Sequence, residues 1–223
     1  MSRIIQISEL SFATRDKRLI LENLFLSVER GEVVAITGPP NAGKTLLLEL
    51  IQGAVRPKSG QILVNDRNVT RLGRRKLYQL RQYLGVVPQR PVWPHQLNLE
   101  DALRFKLNWL RLPLRQSERK VDEAINLLGL SSLRGRGFLD LSPLEQRTAY
   151  LALALCHDPV LLLLDDPFFE LGEDGTATLS VLLNQIRQQR NLTTLLTGQH
   201  AEPLKRMSHR MIELQGGALV EAQ

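Results

Sequence analysis

Cysteine is almost missing from this chain: Cys156 is the only one, so no internal disulfide staples the fold. Flanked by Ala154, Leu155 and His157, it reads as a buried helix residue and not as a nucleophile. Aromatic residues make up 5% of the sequence, and neither a base-stacking pattern, a zinc-finger spacing nor a helix-turn-helix signature is visible. Long apolar runs are lacking too. None reaches the roughly 18 residues that a membrane-crossing helix needs, and the longest candidate, residues 151–164, is interrupted by His157, Asp158 and Pro159. Residues 1–10 hold no continuous apolar segment, so no export signal is expected and the chain is expected in the cytoplasm. Any membrane role must then come through a partner.

What remains is a composition suited to a packed core. With 43% hydrophobic and 23% charged residues, 223 residues can bury one large domain, and no repeat or low-complexity stretch breaks them up. The net charge of +6 is spread out, with Arg71, Arg74, Arg75, Lys76 and Arg81 as its densest patch. That patch reads as a solvated face, or as one turned to a charged membrane, and nucleic acid is not expected as a partner.

Residues 4–7, 24–28, 33–37 and 62–64 read as strands bounded by turn residues, giving a β-rich first third. Residues 44–52 read as a helix closed by Gly53. From about residue 90 to 146 the pattern turns helical. Asn98 is placed to cap a helix bearing Leu99, Ala102, Leu103, Leu107 and Leu110. Ser117 is expected to precede another, in which Val121, Ala124, Ile125 and Leu128 share one face. After Ser142 a helix runs to about His157, followed by the all-apolar strand 160–164, a helix striped by Leu179, Leu182, Leu183 and Ile186, and a strand at 192–196. Strands apolar at consecutive positions are buried on both faces, so the expected core is an α/β parallel sheet flanked by helices.

The sharpest chemical signal is Gly38-Pro39-Pro40-Asn41-Ala42-Gly43-Lys44-Thr45. It fits the pattern GxxxxGK followed by Ser or Thr, between an apolar strand and a helix. In that context the glycines let backbone N–H groups close around phosphate, Lys44 reaches the outer phosphates, and Thr45 offers a hydroxyl to Mg²⁺. A mere strand-to-helix turn would need neither Lys44 nor Thr45. Asp165 and Asp166 follow the strand at 160–164, on the edge where open α/β sheets bind ligands. Asp165 is the candidate Mg²⁺ ligand and Asp166 the candidate base for an attacking water. Taken alone the pair reads as a turn or a helix cap before Pro167; coupled to the phosphate turn it reads as functional.

In this order the motifs resemble the ATP-binding subunits of ABC transporters, across essentially residues 1–220. The resemblance implies a P-loop ATPase fold with an N-terminal antiparallel β subdomain. Residues 1–89 and 147–223 would form the ATP-binding core with that subdomain, and 90–146 a helical subdomain. It implies ATP and Mg²⁺ as cofactors, and Gln89 as the glutamine-loop residue contacting Mg²⁺ and the attacking water. Residues 141–146 (Leu-Ser-Pro-Leu-Glu-Gln) stand where the family has LSGGQ or LSGGEQ, so Ser142 would touch nucleotide held by a second subunit. The family's switch histidine falls on Gln199 in ungapped alignment from Arg210 and on His200 after a shift of one residue; His200 is taken for the γ-phosphate. The family's adenine-stacking aromatic falls near Thr14, and Phe12 is offered in its place. Implied partners are a transmembrane ABC subunit and a second ATPase subunit, in a homodimer or heterodimer, with the chain peripheral on the cytoplasmic face of the inner membrane. Val69, Thr70, Arg71, Leu72, the Leu80-Arg81 pair and residues 97–114 resemble the cell-division (FtsE-like), lipoprotein-release (LolD-like) and macrolide-exporter group.

The chain departs from this pattern at four positions. Pro143 has no N–H to donate to phosphate and Leu144 adds bulk where the family has glycine, although Ser142 to Glu145 is a sound capping box with proline at its first turn. Asp166 stands where the family has glutamate, one methylene longer. Gly172 stands in place of the D-loop aspartate. Reduced ATPase activity, or a nucleotide-binding switch with little hydrolysis, is the expectation. His95, His157 and His209 have no metal-ligand spacing and read as surface or packing residues.

Overall fold

Two sheets, with α1 packed against strands of both, account for much of the hydrophobic pattern. A computed structural model describes residues 2–93 and 96–221; His95 lies outside them. The first sheet is built from β1 (Arg3–Ala13), β2 (Leu19–Glu29), β4 (Ser59–Val64) and β5 (Arg67–Asn68), all antiparallel in the order β2-β1-β4-β5. The second comprises β3 (Val33–Thr37), β6 (Leu84–Val87), β7 (Leu161–Asp165), β8 (Thr193–Thr197), β9 (Arg210–Gln215) and β10 (Ala218–Glu221), in the order β10-β9-β3-β8-β7-β6. It is parallel except for the β9–β10 hairpin. Every residue of β3, β7 and β8 is buried, as expected of a sheet covered on both faces.

Alternation along these strands divides the core. Val34, Ile36, Leu161 and Leu163 face the first sheet and α1 (Lys44–Ile51). Val33, Ala35, Leu162 and Leu164 join a second cluster with α3 (Leu99–Trp109), α4 (Leu114–Leu127), α5 (Pro143–Leu155) and α6 (Glu173–Arg190). The helices of the 90–146 segment thus share one apolar cluster with the face of the parallel sheet.

The caps at Gly53 and Asn98 are as expected. Gly53 takes φ 66° just past α1, and the Asn98 side chain accepts from the N–H of Asp101 at 2.9 Å. Ser117 is a correction: α4 begins earlier, at Leu114 after Pro113, and Ser117 lies buried inside it with no partner for its hydroxyl. Proline's fixed φ suits a helix start and takes the capping place that the serine was given. Strands β1 and β2 each run to 11 residues, well beyond 4–7 and 24–28, because register shifts along their pairing absorb the polar positions. The sequence patterns also left unread α2 (Arg74–Arg81), α7 (Ala201–Met207), β6 and the β9–β10 hairpin, all short.

The end of α5 is a polar joint in this apolar interior. Lys106 from α3 donates to the Leu153 carbonyl at 2.6 Å, while Lys120 from α4 and Arg190 from α6 both pair with Asp158. His157 lies between, its Nε2 3.1 Å from the Leu84 carbonyl and its buried Nδ1 without a partner. Burial, aided by Lys106, drops its pKa to about 4. Because the unfolded chain holds that proton more tightly, stability is full above about pH 6.5 and falls as pH drops toward 4. Between pH 7 and pH 5 a loss of about 2 kcal/mol is expected from this group. Urea unfolding at the two pH values, compared with His157→Gln, checks it: the variant should show a correspondingly flatter profile.

Candidate functional site

The turn between β3 and α1 is shaped to hold an anion. Gly38 has φ 148°, and a Cβ there would sit 2.3 Å from the backbone oxygen of Leu214, so the close pass under β9 admits only glycine. Gly43 has φ 102° and stands at the head of α1, where no side chain caps the helix and no acidic residue occupies the first turn. Among the described residues, the N–H groups of Asn41, Gly43, Lys44 and Thr45 have no hydrogen-bond acceptor, whereas that of Ala42 bonds the Pro39 carbonyl at 3.2 Å. Four orphan donors at an uncapped helix N-terminus are an unsatisfied anion site. The Lys44 ammonium donates to the carbonyls of Gly38 (2.7 Å) and Pro39 (2.8 Å), which leaves it one further proton to give. Burial lowers its pKa, against the opposing pull of Asp166 and Asp165. The exposed rings of Pro39 and Pro40 form the outer wall of the turn and donate nothing.

Next to this turn stands a carboxylate set fit for a hard divalent cation. The Thr45 hydroxyl donates to one Asp165 oxygen at 2.8 Å, and the Thr197 hydroxyl holds the other at 2.8 Å. A hydroxyl and a carboxylate oriented by a further hydrogen bond match the oxygen ligands that Mg²⁺ takes alongside phosphate. Asp166 is buried at φ 43°, its N–H bonded to the Thr197 carbonyl at 3.0 Å and one carboxylate oxygen accepting from the Gln89 amide at 3.2 Å. Burial raises its pKa, partly offset by the Gln89 hydrogen bond. Lys44, Thr45, Asp165, Asp166 and Gln89 are therefore one constellation. Gln199 and His200, both exposed, line with Asp166 a cleft of about 1060 Å³ between α6 and α7. His200 also lowers the Asp166 pKa through its charge.

Two further residues lie elsewhere. Phe12 is on β1, half-buried against the first apolar cluster and paired across the strands with Leu21, the residue that abuts Gly43. Ser142 is exposed at the head of α5, where it and Glu145 form the reciprocal capping box with Pro143 in the first turn. Its hydroxyl bonds the N–H of Glu145 and its carbonyl accepts from the N–H of Gln146 at 2.8 Å, so these bonds stay within α5 and none reaches the phosphate turn of its own chain. Sequence reasoning missed Thr197 and Arg147. The buried Arg147 guanidinium donates to the carbonyls of Pro88 and Gln89 at 3.0 Å and of Phe169 at 3.3 Å, tying both flanks of the site to α5. Arg147 stands among Glu145, Gln146 and Thr148 and gives no local signal, and for Thr197 only the β7–β8 register sets it opposite Asp165.

Known proteins share this sequence pattern and this fold. The chain is 32% identical over 201 residues to the methionine import ATP-binding protein MetN 2 of Paraburkholderia xenovorans, matching 90% of its own length and 52% of that protein. It is likewise 32% identical to MlaF of Haemophilus influenzae, an intermembrane phospholipid transport system ATP-binding protein, with 89% of this chain and 75% of that protein covered. The chain therefore spans about half the length of the MetN 2 relative it matches. Its fold is that of CbiO1 from Clostridium perfringens, with TM-score 0.90, 24% identity, and 99% of this chain and 88% of that chain covered. It is also that of the MJ0796 cassette in its dimeric, ADP- and Pi-bound state, with TM-score 0.86, 19% identity, and 98% and 99% covered. Residues 21–169 match the family described as ABC transporter, and the chain belongs to that family as one of its ATP-binding domains.

Proposed function

We propose that this chain binds Mg-ATP, hydrolyses it slowly, and works as the nucleotide-driven subunit of a membrane transport complex. The observation that carries the proposal is the row of unpaired amides beside Lys44 and the Thr45–Asp165 pair. Those donors take the charge of the phosphate tail, and bound Mg²⁺ supplies further neutralisation of that charge. Lys44 keeps its grip on the Gly38 and Pro39 carbonyls and gives its remaining proton to phosphate. Asp166 accepts the proton of the attacking water, while Gln89 holds its carboxylate in place. His200 donates to the γ-phosphate from the cleft edge, and Phe12 supports the base.

The free energy of closing comes from nucleotide joining two such domains, in a homodimer or with a second ATPase subunit, since contacts across the pair form only with nucleotide bound. Ser142 then meets the partner's nucleotide. A transmembrane subunit would hold the chain at the cytoplasmic face of the membrane. Val69 to Leu72, the Leu80-Arg81 pair and residues 97–114 favour an extracting complex of the lipoprotein-release or cell-division kind. The second reading, a nucleotide-gated switch with little turnover, is favoured by Pro143, Leu144, Asp166 and Gly172 together.

Titrating the purified chain with Mg-ATP and measuring its mass in solution tests the proposal. Uptake at millimolar nucleotide or below, with an ATP-dependent rise toward a dimer, is expected; no uptake by the folded chain would sink it. Arg147→Met is expected to cost about 2 kcal/mol of stability, because three carbonyls lose their donor. It should also slow turnover on the order of tenfold through a loosened Gln89. Urea unfolding and steady-state phosphate release check the two effects separately.

A further inference from the structure

We infer that Thr197 sets the metal preference of the site: its buried hydroxyl holds one Asp165 oxygen, so the carboxylate serves a cation through the other oxygen alone, which suits Mg²⁺ and disfavours Ca²⁺. The inference rests on the reading of Lys44, Thr45 and Asp165 as a Mg-ATP site and adds a positioning residue to it. Thr197 closes β8 as Asp165 closes β7, and parallel pairing sets the two side by side. The Thr197 hydroxyl donates to Asp165 Oδ1 at 2.8 Å, while the Thr45 hydroxyl donates to Oδ2 at 2.8 Å.

These two hydroxyls are not equivalent. Thr45 is exposed in the first turn of α1 and can turn from the carboxylate toward a cation. Thr197 is 0% exposed. The Asp166 N–H, bonded to the Thr197 carbonyl at 3.0 Å, also reaches the Thr197 hydroxyl oxygen at 3.3 Å. With a lone pair taken by that N–H, the hydroxyl directs its single proton at Asp165. Letting go would leave a buried hydroxyl proton without an acceptor, so Oδ1 stays held and Oδ2 is the oxygen on offer. Strand propensity does not account for this hydroxyl. Thr197 shares a face of β8 with Leu195, a member of the first apolar cluster, and valine is as branched and as well suited to a buried strand. What valine lacks is the proton.

Coordination chemistry turns the held oxygen into selectivity. Mg²⁺ demands a tight octahedron and keeps several waters, so one carboxylate oxygen, met directly or through water, is enough. Ca²⁺ gathers about 6–8 oxygens at longer range and uses bidentate carboxylates to reach that number. With Oδ1 engaged by Thr197, Asp165 cannot chelate in that way.

Calorimetric titration of the full chain with a non-hydrolysable ATP analogue tests this, in excess Mg²⁺ and in excess Ca²⁺. Wild type is expected to bind more tightly with Mg²⁺. Thr197→Val should weaken the Mg²⁺-supported affinity by about tenfold or more, the scale for losing a group that orients a metal-binding carboxylate. Ca²⁺-supported affinity should hold or improve, because both Asp165 oxygens become available. Thr197→Ser keeps the hydroxyl and should restore the wild-type ratio of the two affinities. That ratio is the readout, since a change that merely loosened the site would weaken both together. Urea unfolding verifies that each chain is folded, and Thr197→Ala replaces the valine variant if valine prevents folding. The inference is overturned if removing the hydroxyl leaves the ratio unchanged, whether both affinities fall or neither moves. It is also overturned if folded Thr197→Ser does not restore the ratio, or if wild type binds equally with both cations. A folded wild type that takes up no analogue with either cation sinks the Mg-ATP reading and this inference with it, whereas retained uptake with an indifferent Thr197→Val removes this inference alone.

Discussion

Lys44→Ala is expected to lower Mg-ATP turnover by on the order of 10²–10³-fold, comparable with losing one pre-aligned donor from a site where negative charge develops. The effect is large because the site has so little else of the right sign. Within the turn, the amides of Asn41, Gly43 and Thr45 contribute dipoles, and Lys44 is the one full positive charge, with both Asp165 and Asp166 acting on its pKa. Without the ammonium, phosphate would face these two carboxylates with only dipoles to offset them. Binding should weaken too, by about tenfold or more, because a charge-assisted hydrogen bond is lost. Folding should not suffer much, as the carbonyls of Gly38 and Pro39 sit at the partly exposed rim and water can replace the lysine. Lys44→Arg is expected not to rescue: a planar fork cannot hold two carbonyls and a phosphate from the space one ammonium fills. Calorimetric titration and phosphate release, with a urea midpoint as the folding control, distinguish these outcomes.

The parts of this candidate site that are legible in the sequence are those set by local chemistry. The phosphate turn is legible because its donors, glycines and lysine are consecutive, and β7 because its four leucines, preceded by Val160, fit a strand covered on both faces. The capping box at Ser142 and the glycine after α1 are equally local. What escaped depends on register or on distant partners. Thr197 orients Asp165 only because β8 lies beside β7 in parallel, pairing those two positions. Arg147 reaches the carbonyls of Pro88, Gln89 and Phe169, remote in sequence, and nothing in its neighbours announces that. Ser117 shows the opposite failure: a good capping residue type was read as a cap, while Pro113 had already set the helix start. The short α2 was missed because its charge density hid a two-residue inner face, Leu77 and Leu80.

Asp166→Glu is expected to raise turnover roughly a hundredfold, the scale set by moving a catalytic group through about 1 Å. In the native site the Asp166 backbone is fixed by the Thr197 carbonyl at 3.0 Å and its carboxylate is tethered to Gln89 at 3.2 Å, so a shorter side chain has no slack with which to reach forward. Glutamate adds one methylene on the same anchored backbone and brings the base toward the water. The electrostatic setting already suits a base: burial raises the Asp166 pKa toward the operating range, and Gln89 and Lys44 restrain the rise. The affinity for Mg-ATP should change by no more than a few-fold, because the amides, Lys44 and the Thr45–Asp165 pair are untouched. A hundredfold gain with constant affinity would mean that this chain holds nucleotide well and is slow by the length of one side chain. An unchanged rate would move the limit to the head of α5, where Pro143 withholds an N–H and Leu144 occupies space; P143G/L144G should then raise turnover where Asp166→Glu did not. Single-turnover measurements on the two variants and their combination separate these limits, since a base too short slows the chemical step, whereas a poor signature slows the nucleotide-dependent pairing that precedes it.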